Sequence, residues 1–326
     1  MKTVFITGTT GLLGTNLVHK LLAGGYRVIG LVRNKTAYRG MEHPNLELIE
    51  GTLFSDLTEV LQNVDIVVHA AAETRQSLAK YSQYYKVNRN ATILLYNTSV
   101  HCNVGHFIFI SSANTSGYGT KENPGVECSP VLSPFDRSLY ARSKLEAENY
   151  ILNSSNAMKV TVLNPTFMIG AWDSKPSSGK IILMVWKKRI ALFPPGGKNF
   201  VHVEDVADAV IRCAELGISG EKYIISGENL SYREFFTKVI NIAQQKTMLI
   251  QIPKFIMLVL GYLGECVRLT GIETSIGITN MKILCINNFY SNNKSVRDLG
   301  LNYREIVLAI SDALEYFNKD CLKSKI

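Results

Sequence analysis

No stretch of this sequence is long and apolar enough to form a membrane-crossing helix. The most hydrophobic run, Phe255 to Leu263, is far shorter than the ~20 residues a bilayer core demands. Cys-x-x-Cys is absent, and the six cysteines (Cys102, Cys128, Cys213, Cys266, Cys285 and Cys321) fall at wide, irregular spacings. That pattern points away from a zinc ribbon or a disulfide framework and toward reduced, structural thiols. No His, Cys and carboxylate cluster has ligand spacing, so no metal is expected. Gly-x-Ser-x-Gly is missing, which argues against an acyl-enzyme hydrolase. There is no internal repeat and no low-complexity linker. The chain starts directly on an apolar strand, leaving no room for a signal peptide and predicting a cytoplasmic protein without stable membrane insertion.

Blocks of one charge are also scarce. Lys and Arg exceed Asp and Glu by 35 − 27 = 8, yet Lys187-Lys188-Arg189 is the only tight basic cluster. A nucleic-acid partner is therefore not expected; a solvated basic face that draws in an anionic cofactor is. What the chain does have is 326 residues that are 46% hydrophobic, enough for one large domain or a large domain with a smaller partner.

Short runs rich in β-branched residues (Val4–Thr7, Val28–Val32, Leu46–Glu50, Ile66–His69, Phe107–Ser111, Val160–Leu163) alternate with helical patterns at Leu12–Ala23, Leu57–Gln62, within Ser82–His101, and at Leu139–Leu152. The alternation predicts an α/β, Rossmann-type doubly wound parallel sheet. After Pro165 the pattern loosens through 170–179 and 194–197. A strand and helix follow at Val201–Ala214, a returning strand at Tyr223–Ser226, and mainly helix from Ser231 onward. Two interleaved lobes are expected: a cofactor lobe of 1–170 plus 200–227, and a smaller, mainly helical C-terminal substrate lobe of 171–199 plus 228–326.

Thr7-Gly8-Thr9-Thr10-Gly11-Leu12-Leu13-Gly14 lies between the first strand and the first helix, the setting in which a pyrophosphate rests on helix N-terminal N–H groups. Gly8 permits the tight turn, Gly11 lets the backbone approach the phosphates, and Gly14 allows close helix–sheet packing. The second strand ends Leu31-Val32-Arg33. Val32 stands where an NAD-specific site would place a carboxylate on the ribose hydroxyls, and the Arg33 guanidinium can pair with a 2′-phosphate. NADP is therefore the expected cofactor and NAD the possible one, unless Arg33 faces solvent.

Tyr140 and Lys144 are one helical turn apart and share a face. A tyrosine with a pKa near ~10 is a poor base at neutral pH, and a neighbouring ammonium would stabilise its phenolate. Tyr290 and Lys294 repeat the spacing, but within a turn-forming Ser-Asn-Asn segment far from any strand end.

With Ser111-Ser112 behind the fifth strand, these motifs resemble the short-chain dehydrogenase/reductase superfamily in its extended branch, also called the NAD-dependent epimerase/dehydratase superfamily. The resemblance covers nearly the whole chain. Leu31-Val32-Arg33, Asn164-Pro165, Phe200 to Ala207 and Ser226 to Leu230 look most like its dihydroflavonol-4-reductase-like and 3β-hydroxysteroid-dehydrogenase-like group. The resemblance implies that Ser112 hydrogen-bonds the substrate oxygen, Tyr140 exchanges the proton and Lys144 also binds the nicotinamide ribose. It further implies that Asn88 organises the site, although a solvent-facing helix residue would read the same. It places Thr10, Leu12, Leu13, Ala70, Ala71, Ala72, Ser111 and Pro165 beside the cofactor. Gly51-Thr52-Leu53 stands where relatives often carry an Asp for the adenine, leaving Thr52 and Leu53 as the candidate contacts. His202 resembles a structural residue of the family.

The activity so implied is reduction of a ketone or aldehyde, or oxidation of the matching secondary alcohol. An NDP-sugar epimerase or dehydratase with the same triad is the alternative, and a non-catalytic NADP-sensing module is a further one. Against the sugar nucleotide, Lys198-Asn199-Phe200 replaces an Arg-Asp-aromatic run. Thr74, Tyr118, Phe167, Met168 and Trp172 are candidates to line a substrate pocket, or ordinary core. The helices near Ser82–His101 and Leu139–Leu152 resemble those that form a homodimer bundle in relatives.

Overall fold

A computed structural model of the chain describes residues 1–154 and 158–323, with side chains through residue 319. Its centre is a parallel sheet of seven strands. Six are β1 (Thr3–Thr7), β2 (Arg27–Val32), β3 (Leu46–Glu50), β4 (Ile66–His69), β5 (His106–Ile110) and β6 (Lys159–Pro165), and the seventh is Glu221–Ile225. From one edge to the other the order is Glu221–Ile225, β6, β5, β4, β1, β2, β3. The central strands are apolar in near-continuous runs because both faces are covered, as parallel sheets require. On one face Val4 and Ile6 meet α1 (Leu12–Ala23) and the helix Val203–Leu216. On the other, Phe5 of the same strand belongs to a cluster with Leu95, Tyr96, Ala147 and Ile151.

The strand order reverses between β1 and β4, which opens a crevice at their C-terminal ends, the place where such sheets bind ligands. The expected strands of this sheet thus occur with ends shifted by a residue or two, while the strand expected at Val201 begins at Gly197 and lies outside it. One expected helix is different. The segment within Ser82–His101 is an α-turn at Tyr81–Tyr84, a π-helical stretch at Tyr85–Asn90 and then an α-helix at Ala91–His101.

The remaining elements form a second layer. Gly197–His202 pairs with Glu228–Ser231, Asn287–Asn288 and Phe167–Ile169, and Ile190–Phe193 pairs with Met248–Gln251. Helices Tyr232–Ile242 and Ile306–Lys323 pack with them around Phe200, Phe235, Phe236 and Ile310. Neighbours in Gly197–His202 point to different cores, Phe200 to this one and Val201 to the main one. The short strands Phe167–Ile169 and Glu228–Ser231 escaped the sequence reading because three or four residues are too few to establish an alternation.

Candidate active site

Gly8 has φ +79°, and a Cβ there would lie 2.8 Å from the Ala71 nitrogen on the neighbouring β4 turn. Only glycine allows that approach. At Gly14 a Cβ would lie 2.1 Å from the Gly8 carbonyl oxygen, so the helix seats on the turn only because the side chain is missing. α1 begins after Gly11 with no side-chain cap and no acid in its first turn. Its positive end is thus left for an exogenous anion, and the cradle fits a dinucleotide pyrophosphate. In an exposed helix interior Gly→Ala would stabilise by about 1 kcal/mol. Gly14→Ala is expected to do the opposite, lowering both the melting temperature and cofactor affinity; an unchanged titration would contradict the cradle.

Thr7 and His69 fix the floor of the crevice. The Thr7 hydroxyl accepts the Ala71 N–H at 3.2 Å and lies 2.7 Å from His69 Nδ1, while Nε2 is 2.8 Å from the Thr92 hydroxyl. His69 is fully buried, and desolvation, aided by Lys144, pushes its pKa down to about 3. Between about 3 and 6.5 the unfolded chain binds a proton that the folded chain refuses, so this histidine makes stability fall as pH drops through that window. Urea unfolding should show a midpoint loss between pH 6.5 and 4.5 that shrinks in His69→Asn; equal slopes would contradict a neutral His69.

A cleft of about 110 Å³ opens above this floor, lined by Ala70, Ala72, Thr74, Ile110, Ser111, Ser112, Tyr140, Lys144, Pro165, Thr166 and Met168. It has room for the reacting end of a ligand. Tyr140 lies in the first turn of the helix Leu139–Leu152, which the Ser138 side chain caps through the Ala141 N–H. Burial pushes the Tyr140 phenol up to about 12, with a hydrogen bond to Ser112 pulling the other way. Ser112 also accepts the Asn114 N–H at 3.3 Å, so it is a turn cap as well as Tyr140's partner.

Lys144 is 2% exposed. Its ammonium donates to the Ile110 carbonyl at 2.7 Å and sits 4.5 Å from the Phe109 ring centre. Burial depresses its pKa to about 7, opposed by Glu148. The expectation that Lys144 draws Tyr140 toward neutrality is thus not realised in this arrangement. Desolvation sets the direction, opposed by the Ser112 hydrogen bond, and Tyr140 is a phenol throughout the neutral range.

Asn88 is completely buried in the π-helical stretch and touches the protein on three sides. Oδ1 accepts the Glu73 N–H (2.7 Å), and Nδ2 donates to the Glu73 carbonyl (3.0 Å) and to Ser143 Oγ (3.0 Å), which in turn donates to the Tyr140 carbonyl (2.8 Å). It ties the loop after β4 to the helix of Tyr140. Ser111 lines the cleft, and its hydroxyl donates to Glu148 Oε2 at 2.9 Å. Glu148 was missed in the sequence. It is fully buried and also receives Thr115, Asn164 and Lys222.

Three substrate candidates lie outside the cleft. Tyr118 donates to the Ser133 carbonyl and packs edge-on to Phe135. Phe167 packs on Phe200 with the Lys198 ammonium over its ring. Trp172 is wedged between His19 and Tyr316. Each satisfies an apolar ring against core neighbours. Thr52 is turned into a local Ser55 and Phe54 hydrogen-bond set, and Leu53 packs on the core under β3. The repeat motif is dismantled as expected: Tyr290 is buried among Ala113 and Ile224, and Lys294 pairs with Glu221 at 2.6 Å. His202 caps the helix Val203–Leu216 through the Glu204 N–H. A larger hollow of about 330 Å³ on that helix is lined by Asp205, Asp208, Arg212 and Arg304 and contains none of the expected site residues. Ion pairs between Arg304 and both aspartates occupy its charges.

Residues 4–226 match the model of the NAD dependent epimerase/dehydratase family. The chain belongs to that family. Membership bears out the expected resemblance and makes this an enzyme of NAD-dependent redox chemistry. The chain is 26% identical over 323 residues to a putative dihydroflavonol 4-reductase of Synechocystis sp., covering 96% of this chain and 94% of the relative. It is 29% identical over 249 residues to a decarboxylating sterol-4-alpha-carboxylate 3-dehydrogenase of Dictyostelium discoideum, covering 73% and 75%. The crystal structure of gox2253 superposes with a TM-score of 0.82 at 27% identity, covering 98% of this chain and 99% of the other. Family relatives bear the names of reductases, dehydrogenases and epimerases.

Proposed function

We propose that the protein reduces a ketone or aldehyde, or oxidises the matching secondary alcohol, with NADPH preferred. The observation that supports this most is the meeting of Ser112, Tyr140 and Lys144 in one cleft, with Ala70 and Ala72 from the β4 turn that touches Gly8. When bound, the nicotinamide supplies the hydride for the carbonyl carbon. Ser112 hydrogen-bonds the carbonyl oxygen, and Tyr140, held as a neutral phenol, gives it the proton that completes the alcohol. Lys144 binds the ribose and, with a pKa near neutrality, restores the proton to Tyr140. Asn88 keeps the Tyr140 helix in register with the loop below.

The reductase reading is favoured over the sugar-nucleotide one at Lys198-Asn199. Asn199 is tied to Thr166, Gly227 and Asn229, so its side chain is not free to take a diphosphate sugar, and the Lys198 ammonium beside it lies over the Phe167 ring. Incubation with NADPH and either apolar ketones or a UDP-sugar tests the choice: the reading expects net NADPH consumption with a ketone, and its absence across the panel would overturn it.

The cofactor preference rests chiefly on Val32, buried where an acid would stand; Arg33 faces solvent, the arrangement that weakens the NADP reading, and it would have to turn onto a bound 2′-phosphate to support it. Glu50, at the end of the neighbouring β3, accepts the Lys35 N–H at 2.8 Å. Because Arg33 is exposed and screened by water, its pairing with a 2′-phosphate is expected to give about a tenfold preference, the low end for a charge-assisted pair. Titrating NADPH and NADH should show that preference lost in Arg33→Ala and reduced by added salt. Equal affinities in the wild type would remove the basis for NADP.

A further inference from the structure

The helix Lys254–Leu269 is apolar almost all round, yet only Met257, Gly261 and Gly264 are buried. That narrow stripe is accounted for by close contact: a Cβ on Gly261 would lie 2.9 Å from the Ile278 Cα, and one on Gly264 would collide with the Ile276 carbonyl. The rest of the helix faces outward, with Phe255 at 67% exposure, Tyr262 at 62%, Leu263 at 58% and Leu269 at 88%. An all-round apolar helix normally lies inside a protein or a lipid phase. Two residues upstream, the pair Ile190–Phe193 and Met248–Gln251 exposes Ile190, Leu192, Met248 and Ile250 in cross-strand register. So many exposed large apolar side chains on neighbouring segments mark an interaction site.

The charges beside this surface indicate what covers it. Residues 184–193 and 244–264 contain Lys187, Lys188, Arg189, Lys246 and Lys254 and no Asp or Glu. The acids farther along, Glu265 and Glu273, lie toward the helix's C-terminal end, and Glu265 is engaged by Arg268 and the Ile278 N–H. A self-complementary contact with a second copy would bring like charges together, whereas an anionic surface neutralises them. At 16 residues the helix spans about 24 Å, short of a bilayer core, so it fits a helix lying in the interface.

We propose that this face docks the enzyme on an anionic phospholipid bilayer as a peripheral protein. The C-terminal end of the helix, beyond the basic stretch, reaches the loop that walls the cleft. Arg268 and Asn280 donate to the Gln76 carbonyl at 3.2 and 3.0 Å, two residues from Thr74 of the cleft wall. The bilayer would thus lie beside the cleft mouth, where a lipid-dissolved carbonyl substrate could enter.

Vesicle flotation of the full chain tests the surface independently of the reductase reading. With phosphatidylcholine vesicles containing phosphatidylserine, the protein should float, and added salt should weaken it. Lys187→Glu should weaken binding at least fivefold, the effect of removing one surface charge. Phe255→Asp and Leu263→Asp, exposed positions whose change leaves the core intact, should each cost more than tenfold. Circular dichroism melts matching wild type will show that the variants are folded. Failure of the wild type to float, flotation unaffected by these variants, or a dimer that the apolar variants dissociate without any vesicle binding would each overturn the proposal.

Discussion

Tyr140→Phe lowers the maximal rate of carbonyl reduction by about 10²–10⁴-fold, the range for a positioned general acid, while NADPH titrates as in the wild type. The phenol is the group that the cleft keeps protonated: burial holds it near 12, and the Ser112 hydroxyl is its hydrogen-bond partner. The ring packs edge-on to Tyr84 at 6.4 Å, and Phe keeps that contact, so the variant separates proton delivery from folding. Stopped-flow reduction together with a cofactor titration measures both. Wild-type turnover in the variant would remove Tyr140 from the chemistry; a parallel loss of cofactor affinity would make it a structural residue.

Lys144→Met should damage both turnover and NADPH affinity, because in the proposed function one ammonium serves the ribose and the proton supply. An effect of at least about 10²-fold on turnover is expected if general acid catalysis depends on it. The same change should alter the pH dependence of stability. The folded pKa of Lys144, about 7, lies below its ordinary 10.5, so in that interval the unfolded chain holds a proton that the folded chain has lost. Stability of the wild type therefore rises with pH from about 7 to 10.5, and the buried cation's cost is fully present below that window. The methionine variant should show a smaller rise, the remainder coming from Lys198, which burial depresses to about 8. Identical pH profiles for the two proteins in urea unfolding would mean that Lys144 is not held in a desolvated, depressed state.

Much of this was legible in the chain because it depends on local rules. β-branched runs form buried parallel strands, glycines appear where a Cβ would strike backbone, and Tyr140 and Lys144 meet through helical periodicity alone. What was not legible depends on long-range packing. Glu148 sits one turn beyond Lys144 on the same inward face, which was a usable signal, but its partners Ser111, Thr115, Asn164 and Lys222 come from separate segments. The π-helical stretch that carries Asn88 has no composition of its own. Trp172 and Phe167 read as pocket residues since an aromatic ring after a strand end looks the same whether it faces a cleft or a neighbouring core; only the fold brings Tyr316 to one and Phe200 to the other.

The most direct test of the central claim follows the transferred hydrogen. NADPH carrying deuterium at the reactive nicotinamide carbon is mixed with a reducible ketone and the wild-type enzyme, and the product is analysed by mass spectrometry and proton NMR. Deuterium on the carbinol carbon, matched mole for mole by oxidised cofactor and lost in Tyr140→Phe, is the result expected of a carbonyl reductase. No labelled alcohol from any ketone, with a nucleoside diphosphate sugar converted while the cofactor pool stays unchanged, would contradict it.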